Sequence, residues 1–387
     1  MTVPATDLKS LYLLESEIVF LNHGSFGATP RPVFEAYQNW QRRLESQPVR
    51  FLGREADGLL AQARAALGSY LNVSGDDLSF VTNATFGVNL VAHSLELGPS
   101  DEVLTSDQEY GACNNVWTFL SQKQGFTYRY ATIPLPATAE EMLTAFWQAV
   151  TPQTKVIYLS HITSPTAQTF PLEEICARAR EAGILTVIDG AHAPGQLELD
   201  LTALGADFYT GNLHKWLSAP KGAGFLHVRP DKQALVEPLV VSWGWTRGGS
   251  ESLGSRFLDN LNWVGTEDIS RYLAVPAAID FQREHSWPAV RHECHRLLTN
   301  TLESLQTLTG LPSAYVSKDG YTQLAISPLP VGTDTARFKT RLYDEYRIEI
   351  PLTEHQGQPY LRISVQGYNT ENDLDVLMSA VQTLLKA

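Results

Sequence analysis

Lys215 stands in the stretch TGNLHKWLSAPKGAGF, residues 210–225, between a histidine and a tryptophan and ahead of a run of small residues. Most loop lysines are solvated and need no such neighbours. A lysine packed among aromatic and small side chains loses hydration, its ammonium pKa falls, and the free amine becomes a nucleophile. Asp189 closes the apolar run ILTVID just before GAH. In open parallel sheets ligands gather at such strand ends, although an aspartate there is as well read as a turn or cap residue. The stretch TNATFG, residues 82–87, follows a β-like run and opens a helix-like one. Amides at the positive end of a helix can hold a phosphate, although many ordinary helices also begin with a threonine.

A reactive lysine, a carboxylate at a neighbouring strand end and a phosphate-holding helix start form the set that pyridoxal phosphate requires. The lysine forms the Schiff base, the aspartate keeps the pyridine nitrogen protonated, and the helix start anchors the phosphate.

These residues must be positioned by a frame, and the chain supplies one. From about residue 60 to 240, short β-like runs (LSFVT, DEVLTS, FTYRYATI, KVIYLSHI, ILTVID, ADFYTGN, GAGFLHV) alternate with helix-like stretches. Such alternation predicts an α/β domain with a mostly parallel sheet. KVIYLSHI, apolar nearly throughout, reads as a strand buried on both faces. Beyond residue 270 the pattern changes to a long helical stretch over roughly 271–309, with Pro276 and Pro288 as kink points. QLAIS, a helix near 333–345, IEI, LRISV and a last helix follow. Thr370 and Asp373 fit a capping box for that last helix. The expected organisation is an N-terminal segment, 1–50, packing with the small domain, then a large domain, 51–270, and a smaller α+β domain, 271–387.

With 29 Lys and Arg against 42 Asp and Glu, the net charge is −13. That argues against nucleic acid or an anionic membrane surface as a partner. Cys113, Cys176 and Cys294 are too few and too far apart for a disulfide framework or a zinc site, so no metal is expected and a reducing cytoplasm is. MTVPATDLKSLYLLES lacks a basic start followed by an apolar run, the mark of a signal peptide. No apolar stretch approaches the roughly 20 residues needed to span a bilayer.

LNHGSFGATP, NATFGVN, EYGACNN, DGAHAPGQ, TGNLHKWL, WVGTEDISRYLAVPAAI and LRISVQGYN carry a resemblance over nearly the whole chain. The sequence resembles the fold-type I pyridoxal-phosphate enzymes of the class V aminotransferase group, and within it the isopenicillin N epimerase-like proteins. The resemblance implies an α/β large domain with a mostly parallel seven-stranded sheet, a smaller C-terminal domain, and a homodimer with shared active sites. It implies that Lys215 bonds the cofactor, Asp189 pairs with the pyridinium nitrogen and His192 reaches the ring hydroxyl. Ala84, Thr85, Thr210 and His214 would surround the phosphate, with Thr266 of the neighbouring subunit. Tyr110 would stack on the outer ring face, where ordinary packing at a helix start is the other reading. Arg362 would bind the substrate carboxylate as a bidentate pair; its other reading is a salt bridge at a strand edge. Asn22 and His23 would line the substrate mouth, although His23 equally fits a structural histidine.

Two departures bear on the reaction. Cysteine desulfurases of this superfamily carry a cysteine on a mobile loop of the small domain, whereas Cys294 falls inside a predicted helix. Glu267 stands after GT, where the epimerase-like pattern has a basic residue, and a glutamate at the mouth would disfavour a second carboxylate on the substrate. The expected activity is Cα–H abstraction from an amino acid or amino-acid-derived substrate, with epimerisation first. Carbon–sulfur lyase chemistry and transamination are the alternatives, and a non-catalytic relative would have been free to lose Lys215.

Overall fold

In the computed structural model, which describes residues 8–386, the β-like runs become strands in the expected order. Residues 1–7, which open the stretch examined for a signal peptide, and residue 387 lie outside the described residues. The strands are β1 (Val19–Phe20), β2 (Leu78–Val81), β3 (Glu102–Ser106), β4 (Thr127–Ala131), β5 (Thr154–Ser160), β6 (Leu185–Asp189), β7 (Phe208–Asn212), β8 (Gly224–Val228), β9 (Leu324–Pro328), β10 (Ile348–Glu349), β11 (Leu352–His355) and β12 (Gln358–Ser364).

The seven-stranded sheet has the order β2-β8-β7-β6-β5-β3-β4, and β8 alone runs against the rest. Alternation along its strands feeds two cores. Val156, Tyr158, Val187 and Phe208 pack on one face, and Ile157, Leu159, Ile188 and Tyr209 on the other. Burial on both faces explains the continuous apolar run of β5. Each such side chain contributes about 1.5–3 kcal/mol on leaving water. Helices Ala84–Ser94, Gly111–Gln124 and Leu172–Glu181 connect these strands.

A second sheet, β11-β12-β9, is antiparallel. Helices Trp287–Thr309, Thr335–Tyr346 and Glu371–Leu384 accompany it, the last opened by the Thr370–Asp373 capping box. The stretch expected to kink at two prolines is instead three helices, Ser270–Leu273, Val275–Glu284 and Trp287–Thr309. Both prolines stand in the first turn of the helix they open, where a missing N–H costs nothing. Ser286, at φ 51°, makes the break before the last of the three.

The N-terminal segment touches both parts. β1 pairs in parallel with β10, and Ser364 donates its N–H to the Leu21 carbonyl at 3.0 Å. The helix Arg31–Ser46 packs against Ser270–Leu273 and Val275–Glu284. Between these contacts the chain crosses the lysine loop at Gly27, which has φ 71°; a Cβ there would lie 2.0 Å from the His214 carbonyl oxygen. Only glycine permits that approach.

Candidate active site

Three strand ends and one helix start converge on a cavity of about 440 Å³. β6 delivers Asp189, in register with Ser160 of β5 and Thr210 of β7. The loop after β7 delivers His214 and Lys215, and the helix Ala84–Ser94 presents its first residues. Thr85, Tyr110, Asp189, His192, His214 and Lys215 all line the cavity.

The lysine loop is held closed by its own backbone. Leu213 and His214 both donate to the Ala223 carbonyl, and Ala219 donates to Leu213. Burial pulls the Lys215 amine down to about 8, against the attraction of Asp189. Its Nζ lies 3.1 Å from His192 Nε2, and His192 Nδ1 accepts from the Trp216 indole N–H at 3.2 Å. Burial holds His192 well below the usual histidine range, and the Lys215 charge adds to the effect.

Asp189 is buried, and burial raises its carboxyl against the hydrogen bonds that favour the anion. Oδ1 accepts the Ala191 N–H at 2.9 Å; Oδ2 has the Cys113 thiol at 3.6 Å and the Tyr158 hydroxyl at 3.4 Å. A cation beside it would restore the charge.

The helix start is partly spent on its own structure. Ala84 N–H is taken by Asn212 Oδ1 at 2.8 Å, and Phe86 N–H by Asn83 Oδ1 at 2.9 Å. The amide between them belongs to Thr85. His214 Nδ1 lies 3.0 Å from the Ala223 carbonyl, an acceptor, so Nδ1 carries the proton. Burial lowers this ring to about 4.

Arg362, on β12, reaches the same region from the second sheet. Nη1 donates to the Ser164 carbonyl at 2.8 Å and to its hydroxyl at 3.1 Å; Nη2 donates to Ser25 Oγ at 3.0 Å. Ser25 and Ser164 line the cavity. Arg362 Nε is buried without a partner, and no carboxylate pairs with this guanidinium among the described residues. The salt-bridge reading of Arg362 therefore has no support here.

Three expectations are corrected. His23 does not line the cavity: it is fully buried, donates from Nε2 to the Lys215 carbonyl at 3.0 Å and accepts at Nδ1 from Tyr368 at 3.0 Å. Asn22 is tied to Glu349 at 2.9 Å and to Ser25, so the mouth is formed by Ser25 and Phe26. Thr210 is buried, donates to the Phe225 carbonyl at 2.8 Å and packs under Gly87. Its hydroxyl is used inside the sheet. Ala84 lines the cavity, whereas Thr266 lies in a separate groove beside Asp57, Arg247 and Trp263. Glu267 is paired with Arg271 and takes no part in the cavity.

Sequence reasoning missed Ser25, Ser164, Asn212 and Lys221, all of which line the cavity. For Ser164 and Asn212 the signal was available, since Asn212 closes one β-like run and Ser164 follows another, at the end where ligands gather. It also missed Glu109, a buried carboxyl pushed up to about 7 by burial, which accepts from Ser106 and from the backbone and hydroxyl of Ser160. The donor set fits pyridoxal phosphate. A buried amine of lowered pKa, a buried carboxylate and a helix-start amide beside a histidine face one cavity.

Residues 19–377 match the family described as Aminotransferase class-V. The chain is 38% identical to isopenicillin N epimerases of Amycolatopsis lactamdurans and Streptomyces clavuligerus, in each case covering 96% of both chains. It is 30% identical to a putative L-cysteine desulfhydrase of Oryza sativa subsp. japonica, covering 96% of this chain and 84% of that one. Among solved structures, the cystine C–S lyase C-DES in complex with its product cysteine persulfide superposes with a TM-score of 0.83. It has 22% identity and covers 95% of this chain and 98% of that one. An apo cysteine desulfurase of Thermococcus onnurineus NA1 gives 0.84 at 21% identity, covering 100% and 99%.

Proposed function

The chain belongs to the aminotransferase class-V family of pyridoxal-phosphate-dependent enzymes, and from that premise we propose that it epimerises the α-carbon of an amino acid or amino-acid-derived substrate by removing and returning the Cα proton. Pyridoxal phosphate, when bound, supplies an electron sink for the charge that develops at Cα.

The chain's own residues do the rest. Lys215 holds the cofactor and, as a free amine, takes the Cα proton. With a pKa of about 8, roughly a tenth of it is in the base form at pH 7, a few hundredfold more than an ordinary lysine offers. Arg362, steadied by Ser25 and Ser164, fixes the substrate carboxylate. A carboxylate fixed there by Arg362 would be retained, which disfavours decarboxylation. Asp189 keeps a proton on the pyridine nitrogen, and Thr85 and His214 receive the phosphate. Tyr110, whose half-exposed phenol lines the same cavity, is a second group that carries a proton there. The observation that carries the reading is the pairing of a low-pKa amine with a carboxylate-binding arginine that has no acidic partner.

A carbon–sulfur lyase is the second reading, favoured by the 30% identity to the rice protein. Persulfide transfer through a protein thiol is disfavoured: Cys113, Cys176 and Cys294 are all buried, and burial raises each thiol. Solvent-exposed segments such as Val241–Trp245, rich in large apolar side chains, support a homodimer. Three unpaired cysteines support a cytoplasmic location. The same reading divides the chain into a cofactor-holding unit, 51–270, and a smaller unit, 271–387, with which the N-terminal segment, 1–50, packs.

Incubation with candidate amino acids in deuterated water tests the assignment. Solvent deuterium at Cα with inversion is expected. Keto acid with ammonia and a thiol or persulfide would establish the lyase instead, and carbon dioxide release without Cα exchange would overturn both.

A further inference from the structure

We infer that Trp216 is a positioning residue that fixes the tautomer of His192, so that His192 is a neutral donor at Nε2 and the free-amine form of Lys215 is favoured over the ammonium. An indole nitrogen only donates. Trp216 Nε1 lies 3.2 Å from His192 Nδ1, so Nδ1 must present its lone pair. A neutral imidazole has one N–H, which is then on Nε2. Nε2 lies 3.1 Å from Lys215 Nζ, and its N–H is satisfied there by the lone pair of a neutral amine.

The opposite charge state breaks this chain. A Lys215 ammonium would donate, forcing Nε2 to accept and moving the ring proton to Nδ1. Two N–H groups would then meet head to head at Trp216, which is fully buried and whose indole N–H makes no other hydrogen bond among the described residues. A doubly protonated His192 meets the same obstacle. Asp189 and Cys113 favour the Lys215 ammonium and Arg362 opposes it; Arg362, His214 and His23 face His192. Replacing the indole changes none of these charges. Burial acts in the same sense as the hydrogen bonds, lowering both Lys215 and His192. Within the site His192 is therefore no proton acceptor, and the base is Lys215.

The inference rests on these residues forming the proposed reaction site, but its test reads nitrogen atoms and not turnover. The full chain is labelled with 15N-histidine and, separately, with 13C-lysine, and studied both loaded and stripped of cofactor; His192→Gln assigns the ring. In the stripped protein above about pH 8, where Lys215 is the free amine, Nε2 should carry the proton and Nδ1 should not. In the stripped protein Trp216→Phe should raise the Lys215 pKa by about one unit, the effect of one net hydrogen bond. His192→Gln should leave that pKa near its native value, because one amide can accept from the indole and donate to the amine together. A proton on Nδ1 or a doubly protonated ring above that pH, or an unmoved Lys215 pKa in folded Trp216→Phe, would overturn the inference. If Trp216→Phe does not fold, a rise of about one unit in His192→Gln overturns it, and no rise supports it. Borohydride fixation of the cofactor to Lys221 would instead sink the assignment of the site while leaving the tautomer result standing.

Discussion

Asp189 and His214 illustrate how burial sets the chemistry residue by residue. Asp189 is one of the most enclosed carboxylates among the described residues, and its three local donors oppose but do not outweigh the rise that burial causes. An amide in its place keeps the shape but cannot hold the pyridinium proton. Asp189→Asn should therefore retain cofactor while turnover falls about a hundredfold or more; near-normal kcat would remove Asp189 from its role. His214 has the opposite problem. Its Nδ1 proton is committed to Ala223, so Nε2 can donate to a phosphate only when the ring is charged. A dianion beside it raises its pKa from about 4. A pKa raised by the ligand gives an affinity gain that is complete below the free value and is lost as pH rises toward the bound value. The His214 contribution to phosphate affinity should thus fall as pH rises above about 4, and His214→Gln should abolish that part of the slope. Identical slopes in the two proteins would refute the assignment.

At the scale of elements, the helix Ala84–Ser94 links folding to phosphate binding. Asn83, extended at φ −172°, caps it by accepting the Phe86 amide. Asn83→Ala should cost about 1 kcal/mol in denaturant unfolding and weaken phosphate binding with it. Loss of stability with unchanged affinity would separate the cap from the site. This element was legible in the sequence, as were the strands on either side of it, because a both-face apolar run and a capped helix each have a short-range cause. The hairpin joining β11 and β12 was not read. Its signal was present in Gln356 and Gly357, both left-handed as a two-residue turn requires. Thr210 was misplaced, and His23 was left between two readings, for a different reason. Alternation tells which face of a strand a side chain takes, but not whether its polar atoms are spent on Phe225, Tyr368 or Lys215. Ser25 and Ser164 lie 337 and 198 residues from Arg362, and only the folded chain joins them.

For the whole molecule the question is whether each site is complete within one chain. Thr266 lies in a groove with Asp57, Arg247 and Trp263, apart from the cavity of Lys215. The surface around that groove exposes Trp243 at 78% and Val49 at 70%, with Val241 and Trp245 nearby. Apolar side chains of that size on one face mark an interaction site, and a second copy would cover them while bringing Thr266 to its neighbour's phosphate. Sedimentation should give a dimer, and Trp243→Glu should weaken it. A mixing experiment separates shared sites from self-contained ones. Lys215→Ala removes the amine, and Thr266→Arg obstructs the partner's site, so each protein alone should be nearly inactive. In a hybrid dimer one site combines native Lys215 from one chain with native Thr266 from the other. After random exchange of equal amounts, half the dimers are hybrids with one native site in two, so activity should recover to about a quarter of the wild-type level. Activity that stays at the mean of the two parents after verified exchange would mean that Thr266 does not serve the neighbouring site.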